Sequence, residues 1–545
     1  MPTVKLNKKV FEKLVGKKLP IEKLKDRISM MGTDLDSIEG DEISVEIFPN
    51  RPDMLSEQGF ARAFSSFIGV KTGLKEYKVN KTNDKLIVKN LPKEWPYAIG
   101  CVVRGLKLDD EKVREIIQIQ EKLGTTLTRN RAKGGIGLYP VNKVKFPITF
   151  SGKNPKEIKF RPLEFPKEIT ALQMLSQHPK GREYGHLMEN WKTFPVFTDA
   201  NGTFMSMPPV INSHDVGKID ETTTDVFIEA TGPDLKIIKQ AINIIATALS
   251  DMGGKIYSLK VEIPKEKLKF DCPDLKPKSW NMDIDYINKR LGLNLKEKEV
   301  KTLLEKMGYG YAKGKVLVPA YRADIMHQVD FAEDIAIAYG YENFDAEIPN
   351  VATIGKENPF EIFKRKVAEI LAGNQLLECD TYNLTNEDLQ TKKMNTKMHT
   401  IKLANAFSQE YSTLRAWIIP SLLQILSENK QYDYPQNIFT IGRIFKKGKT
   451  ESGVEENDRV AVLVCDATAN FTKIKQSFDY LMRMLNIKYE TKEAEHPSFI
   501  PGRTARITVK GKDVAYIGEI HPQVLENFSL EFPVAAFELN LSELF

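Results

Sequence analysis

The sequence has no run of about eighteen apolar residues, so no segment can cross a bilayer as a single hydrophobic helix. Its lysine-rich start, "MPTVKLNKKVFEKLVGKK", lacks the apolar centre of a secretory signal, which sets the expectation of a cytoplasmic protein. Cysteine is scarce. Cys101, Cys272, Cys379 and Cys465 stand far apart with no CxxC pair, which excludes a cysteine zinc site and predicts reduced thiols. No GxSxG occurs, so the nucleophile elbow of an α/β-hydrolase is excluded. A net charge of +6 is small for 545 residues; it permits a nucleic-acid partner through local lysine clusters without requiring one. The length predicts roughly three to five domains.

What is present is an internal repeat. Residues 13–34, "KLVGKKLPIEKLKDRISMMGTD", align with 289–310, "KRLGLNLKEKEVKTLLEKMGYG", pairing Lys13 with Lys289, Gly16 with Gly292 and Met31-Gly32 with Met307-Gly308. After a connection five residues longer in the first copy, "RPDMLSEQGFARAFSSFIG" (51–69) aligns with "RADIMHQVDFAEDIAIAYG" (322–340). Each copy reads as a helix, a short strand and a second helix.

The second copy carries four acids, Asp324, Asp330, Glu333 and Asp334, the last three at the i, i+3, i+4 spacing of one helical face. Acids at a helix start complement its dipole and can complete a capping box. Clustered carboxylates also suit a hard cation. The repeat serves as a control, because the equivalent positions in the first copy are Asp53, Gly59, Arg62 and Ala63, and that helix is expected to form without the acids. The comparison favours a cation, magnesium over calcium, since few ligands converge and no EF-hand spacing is present.

Arg-x-Asp-Ile, Asp-x-x-Glu-Asp and "YGYENF" in the second copy resemble the metal-binding module of the phenylalanine-tRNA ligase beta-subunit family, and "FPNRPDMLSEQGFARA" is similar to that family's N-terminal module. The resemblance implies magnesium at Asp324, Asp330, Glu333 and Asp334. It continues through "LTRNRAKGGIGLYPVNKVKFPITF" (127–150), 175–213 and "TTTDVFIEATGPDLK" (222–236), which are similar to the family's editing domain in its archaeal and eukaryotic-cytosolic form. That domain removes tyrosine wrongly attached to phenylalanine tRNA. Read physically, "TDANGTF" is a hairpin signal, "VFIEATG" a buried strand and "DLKIIKQAINIIATAL" an amphipathic helix. Ser206, Glu229 and Thr231 are the expected pocket residues. The family often has Asp where Glu229 stands, and Pro140 and Asn142 occupy positions where relatives commonly carry aspartates, so these two receive no role. His178 and His186, in "HPKGREYGH", are considered as general bases, but no nucleophile signature accompanies them and "HPKG" suits a turn.

In the last region, "LRAWIIPSLLQIL", "FTIGRIF", "HPSFIPGRTARI" and "GEIHPQVLENF" imply a class II synthetase-like antiparallel sheet. A helix is expected over 412–430, with the surroundings of Trp417 a candidate docking surface or plain core. Neither the arginine motif that holds ATP nor an Arg-x-Glu pair is found in 358–545; after Arg443 come Ile444 and Phe445. Activation is therefore expected in a partner alpha subunit, in an assembly of two alpha and two beta chains that binds phenylalanine tRNA. The family's bacterial oligonucleotide-binding insertion and C-terminal anticodon-binding domain are not expected here.

The expected fold is an α+β multidomain chain. Two copies of a small module (1–88 and 266–350) flank an editing domain (89–265), and a catalytically inactive class II-like domain (351–545) follows. A freestanding tRNA-editing hydrolase and a non-catalytic RNA-binding scaffold are the alternatives.

Overall fold

A computed structural model describes residues 2–348, 350 and 354–545, so the expected boundary at 350/351 falls beside residues outside the described set. Contacts divide the chain into two compact units, 1–347 and 348–545.

Within the first unit the two repeat copies fold with the same topology. The first has a strand Thr3–Asn7, helices Lys8–Val15 and Ile21–Met30, a hairpin of Asp34–Glu39 and Glu42–Glu46, and a helix Glu57–Phe67. The second has Lys278–Asn281, Ile284–Leu291, Glu297–Lys306, Gly310–Ala312 with Lys315–Val318, and Gln328–Tyr339. In each, the leading strand lies against the second hairpin strand, which pairs in turn with the first. The leading strand, the break between the first two helices and the hairpin are richer than the helix–strand–helix pattern read from the sequence. The break is caused by Gly16 and Gly292, which end their helices at φ of 84° and 68°, a region L side chains adopt only with strain. Side-chain caps start the first helices, Asn7 in one copy and Asp283 in the other.

The copies also touch one another through equivalent positions. Gly32 faces Ile337, and its counterpart Gly308 faces Ser66, the counterpart of Ile337. Ser66 donates from its hydroxyl to the Glu305 carbonyl, and Arg27 pairs with Glu342.

Between the copies lies a ten-stranded sheet. Its order runs 211–212, 204–207, 194–198, 148–153, 79–89, 255–263, 97–104, 226–232 and 135–140, with 268–272 paired to 255–263. The sheet thus takes in Val79–Lys89 and Leu268–Cys272, beyond the expected bounds of the central domain. Helix Leu235–Asp251 covers the strands Tyr97–Arg104 and Val226–Gly232, burying Ile238, Ile242, Ile245 and Leu249 at helical spacing.

The second unit is built on a seven-stranded sheet ordered 377–378, 436–447, 454–465, 534–540, 512–520, 499–509 and 490–493. Every pairing is antiparallel except that of the first two strands. Alternation along Val454–Cys465 places Val460, Val462 and Val464 against helices Pro359–Gly373 and Phe471–Met484, and Ala461, Leu463 and Cys465 against helix Ile419–Glu428. That last helix is shorter than the expected 412–430. Thr413–Leu414 is a strand, and helix starts at Ile419 with Pro420 in its first turn, where a missing N–H costs nothing. Trp417 precedes the helix and is buried, its indole N–H donating to the Gln390 carbonyl at 3.1 Å. It is core, which removes it as a docking contact.

Candidate functional site

The strands Gly135–Pro140 and Val226–Gly232 pair antiparallel with Glu229 opposite Gly137, Thr231 opposite Gly135 and Phe227 opposite Tyr139. Directly opposed residues project to the same face, so the two glycines clear the space that the Glu229 and Thr231 side chains occupy. A Cβ at Gly137 would lie 2.4 Å from Glu229 Oε1 and 2.5 Å from the Tyr139 hydroxyl; one at Gly135 would lie 3.3 Å from Thr231 Oγ1.

Tyr139 is wholly buried and donates its hydroxyl to Glu229 Oε1 at 3.2 Å, with Asn212 Oδ1 3.3 Å away. Ser206 lies opposite Asn212 in the neighbouring strand pair. Three side-chain atoms here are buried without a hydrogen-bond partner in the chain: Ser206 Oγ, Glu229 Oε2 and Thr231 Oγ1. Buried polar atoms are rarely left unmatched, because each loses its hydration without compensation. Burial pushes the Glu229 carboxyl up to about 8, against the opposing hydrogen bond from Tyr139.

Glu229 reaches a cavity of about 310 Å³, whose wall includes Gly135, Asn212, Pro209, Arg131 and His178. Ser206 and Thr231 sit behind that wall, fully buried, each opposite a residue that lines it. Arg131 holds the wall together by donating to the carbonyls of Pro209 and Val210 at 3.0 and 2.9 Å while its guanidinium lies over the Tyr184 ring. His178 caps the helix Pro179–Tyr184 and bonds the Leu163 carbonyl through Nε2, a structural use of both ring nitrogens; His186 is exposed. The sequence reading did not assign Tyr139 a role. Its signal is "GGIGLY", where glycines two residues apart empty one face of a strand ahead of an aromatic.

The four acids of the second copy are each engaged by donors of the chain, two of them by the same arginine. Arg322 donates from Nε and Nη2 to the two oxygens of Asp324, at 2.8 and 2.6 Å, and from Nη2 to Asp334 at 2.7 Å. Asp334 also accepts from the Tyr309 hydroxyl. Asp330 takes the backbone N–H groups of Met326 and His327, at 2.7 and 2.8 Å, and Glu333 accepts from Tyr341. His327 Nδ1 in turn accepts from the Val329 N–H, so the helix start is a reciprocal cap. Among the described residues no group of three or more His, Cys, Asp or Glu side chains is gathered to hold a metal ion. The helical spacing was read correctly, but Arg322 claims two carboxylates and the helix start claims a third. The first copy explains the pattern, since Arg51 grips Asp53 through the same two-pronged contact at 2.9 Å.

In the second unit, Arg443 is tied to Glu456 at 2.7 Å and to Asp458 at 3.0 Å, and Asp458 also binds Lys364. Its guanidinium is occupied within the sheet.

Comparison with known proteins sets these sites in context. Residues 280–341 match the tRNA synthetase B5 domain, and residues 345–541 match the phenylalanyl tRNA synthetase beta chain CLM domain. Over its full length the chain is 39% identical to the phenylalanine–tRNA ligase beta subunit of Pyrococcus horikoshii, covering 100% of both chains. The chain belongs to the phenylalanine–tRNA ligase beta-subunit family. The beta subunits of Pyrococcus abyssi and Archaeoglobus fulgidus are 40% and 37% identical, with 100% of this chain covered in each case and 100% and 99% of theirs. Among solved structures, an N-terminal fragment of the P. horikoshii phenylalanyl-tRNA synthetase beta subunit matches at 37% identity and a TM-score of 0.60, covering 62% of this chain and 99% of the fragment. As a ligase subunit of this family, the chain has a mixed α/β multidomain fold consistent with that fragment. Among the described residues no helix is long and apolar enough to cross a membrane.

Proposed function

We propose that this chain serves an alpha–beta phenylalanine–tRNA ligase by hydrolysing tyrosyl-tRNA in the cavity at Glu229, while the alpha subunit activates phenylalanine. The observation that carries this reading is Glu229 Oε2, buried and unmatched at the wall of the cavity, with Tyr139 occupying the other carboxyl oxygen.

Tyrosine and phenylalanine differ by one hydroxyl. An apolar cavity accepts both nearly equally, whereas a site whose polar atoms await a hydroxyl rejects the analogue that leaves them unpaired. Glu229 bonds the substrate phenol through Oε2, because Oε1 is taken by Tyr139. Near neutral pH the carboxyl is largely protonated, since burial raises it to about 8. It can therefore donate to the phenol oxygen, and phenylalanine offers nothing in return. Ser206 and Thr231 lie behind the wall, so the aminoacyl end and the water are left to residues of the wall itself, such as Asn212.

The reaction is ester hydrolysis. Water adds to the ester carbonyl, the bond to the terminal ribose oxygen breaks, and that oxygen leaves with a proton as the free tRNA hydroxyl. His178, the histidine of the cavity wall, has both ring nitrogens engaged and is not free to act as the base, so the tRNA's neighbouring hydroxyl is the proton relay. No step passes through magnesium. In 358–545 the engagement of Arg443 with Glu456 and Asp458 supports a domain without ATP chemistry, used for assembly with two alpha chains in a four-chain complex. The direct test is hydrolysis of tyrosyl-tRNA by the assembled complex carrying Glu229→Ala.

A further inference from the structure

The two repeat copies share a fold but not a surface. Residues 5–27 of the first carry nine lysines and arginines against three acids, whereas the equivalent residues 281–303 carry five against four. The first stretch alone accounts for an excess of +6, equal to that of the whole chain. Basic residues after a helix end can be explained by its dipole. That explanation fails here, because Lys17, Lys18 and Lys23 correspond to Leu293, Asn294 and Glu299, and the second copy forms the same two helices without them.

Two of these lysines meet a third cation in space. Lys17, Lys23, Arg27 and Lys306 line one cavity of about 300 Å³ between the first copy's helices and the second copy, with Glu342 the single acid in its wall. Glu342 is already paired with Arg27 at 2.8 Å. Among the described residues Lys17, Lys23 and Lys306 have no ion-pair partner, and Lys17, Lys18 and Lys23 are exposed. Three unpaired ammonium groups around one recess give it a positive potential that attracts an anion.

We infer that this recess and the flanking lysines form a docking face for the phosphodiester backbone of the tRNA, separate from the editing cavity. The charge is complementary to a polyanion, the recess has room for a phosphate, and the lysines lie on an exposed helix–loop–helix edge that an extended backbone can follow. The inference rests on membership of the ligase family and not on the editing reading.

The test uses the assembled alpha–beta complex and a phenylalanine-tRNA transcript. The triple variant Lys17→Ala, Lys23→Ala, Lys306→Ala is compared with wild type in charging assays across a salt series. Expected are a KM for tRNA raised about tenfold at low salt with kcat unchanged, and a dependence of log affinity on log salt made shallower by about two units. A control variant, Lys289→Ala, Lys296→Ala, Lys298→Ala, removes exposed lysines of the second copy and is expected to leave both quantities near wild type. Unchanged KM and salt slope in the first variant would overturn the inference, as would an equal loss in the control, which would mean diffuse net charge. Loss of alpha-subunit association on size-exclusion chromatography, with unchanged tRNA affinity in the complex that remains, would also overturn it and mark a protein contact instead.

Discussion

The Tyr139 hydroxyl donates to Glu229 Oε1 at 3.2 Å across the space that Gly137 leaves open. This bond fixes which carboxyl oxygen remains free for a substrate, and it opposes the upward push of burial on Glu229. Replacement Tyr139→Phe keeps the ring and removes the donor. Tyrosyl-tRNA hydrolysis by the complex is expected to slow about tenfold, the effect of one lost hydrogen bond to an acidic group, with preference over phenylalanyl-tRNA reduced. Any part of the pH–rate profile that follows Glu229 should move to higher pH, because the variant loses the interaction that favours the carboxylate. Unchanged rate, preference and profile would make Tyr139 a packing residue only.

Gly137→Ala tests the same space sterically. Its Cβ would fall 2.4 Å from Glu229 Oε1, so the carboxyl must leave its position. Editing is expected to be lost while phenylalanine charging by the complex is retained. Loss of both, with a lowered melting temperature, would show that the strand pair and not the pocket had failed.

Arg322 is shared between Asp324 and Asp334 in a buried site. Removing one partner of such a pair strands a buried charge, and Arg322→Ala is expected to destabilise the first unit by roughly 3–5 kcal/mol, read from thermal unfolding. A chelator of divalent cations should leave the melting temperature of the isolated wild-type chain unchanged, because the acids are satisfied by protein donors. A clear chelator-induced drop would restore a resident metal.

How far the sequence carried this picture depends on the kind of information each residue holds. The repeat was legible because its landmarks are backbone requirements: Gly16 and Gly292, and again Gly32 and Gly308, all adopt positive φ. The leading strands of the two copies, five and four residues long, are too short to stand out before their partners are known. Trp417 reads as part of an apolar helix, yet Glu538, 121 residues later, accepts the N–H groups of Ile418 and Ile419 and so determines where the helix begins. The acids around Asp330 show the same limit. Their spacing places them on one face, but whether carboxylates gather depends on the side chains that reach them, and Arg322 lies outside the spacing pattern. Of Ser206, Glu229 and Thr231, the pocket residues that the resemblance implies, Glu229 lines the cavity, and Tyr139 is not among them because its place beside Glu229 arises only from strand register.

A pair of buried acids makes the first unit sensitive to pH. Glu57 accepts from the Asn7 N–H at 2.7 Å, and its own N–H donates to Glu115 at 3.1 Å, joining the first copy to the helix Asp110–Thr125. Burial, then the charge of Glu115, raises Glu57 to about 8; burial raises Glu115 to about 7. Both folded values lie above the ordinary 4.5, so this contribution to stability is complete below that value and is lost as pH rises through about 7 to 8. The melting temperature of the chain is expected to decline as pH rises from about 4.5 to about 8, and to decline less in Glu57→Gln with Glu115→Gln. An identical decline in the double variant would assign the effect elsewhere.

The purified chain without its partner should show no ATP–pyrophosphate exchange with phenylalanine, and exchange should appear when the alpha subunit is added. Exchange by the chain alone would reveal an activation site within 358–545.

The central claim is that Glu229 recognises the phenol of a mischarged tyrosine, and hydrolysis of tyrosyl-tRNA by the assembled complex tests it most directly. With Glu229→Ala the rate is expected to fall at least about tenfold, corresponding to about 1.4 kcal/mol of lost hydrogen bonding, while phenylalanine charging stays near wild type. A variant complex that clears tyrosyl-tRNA as fast as wild type would contradict the account.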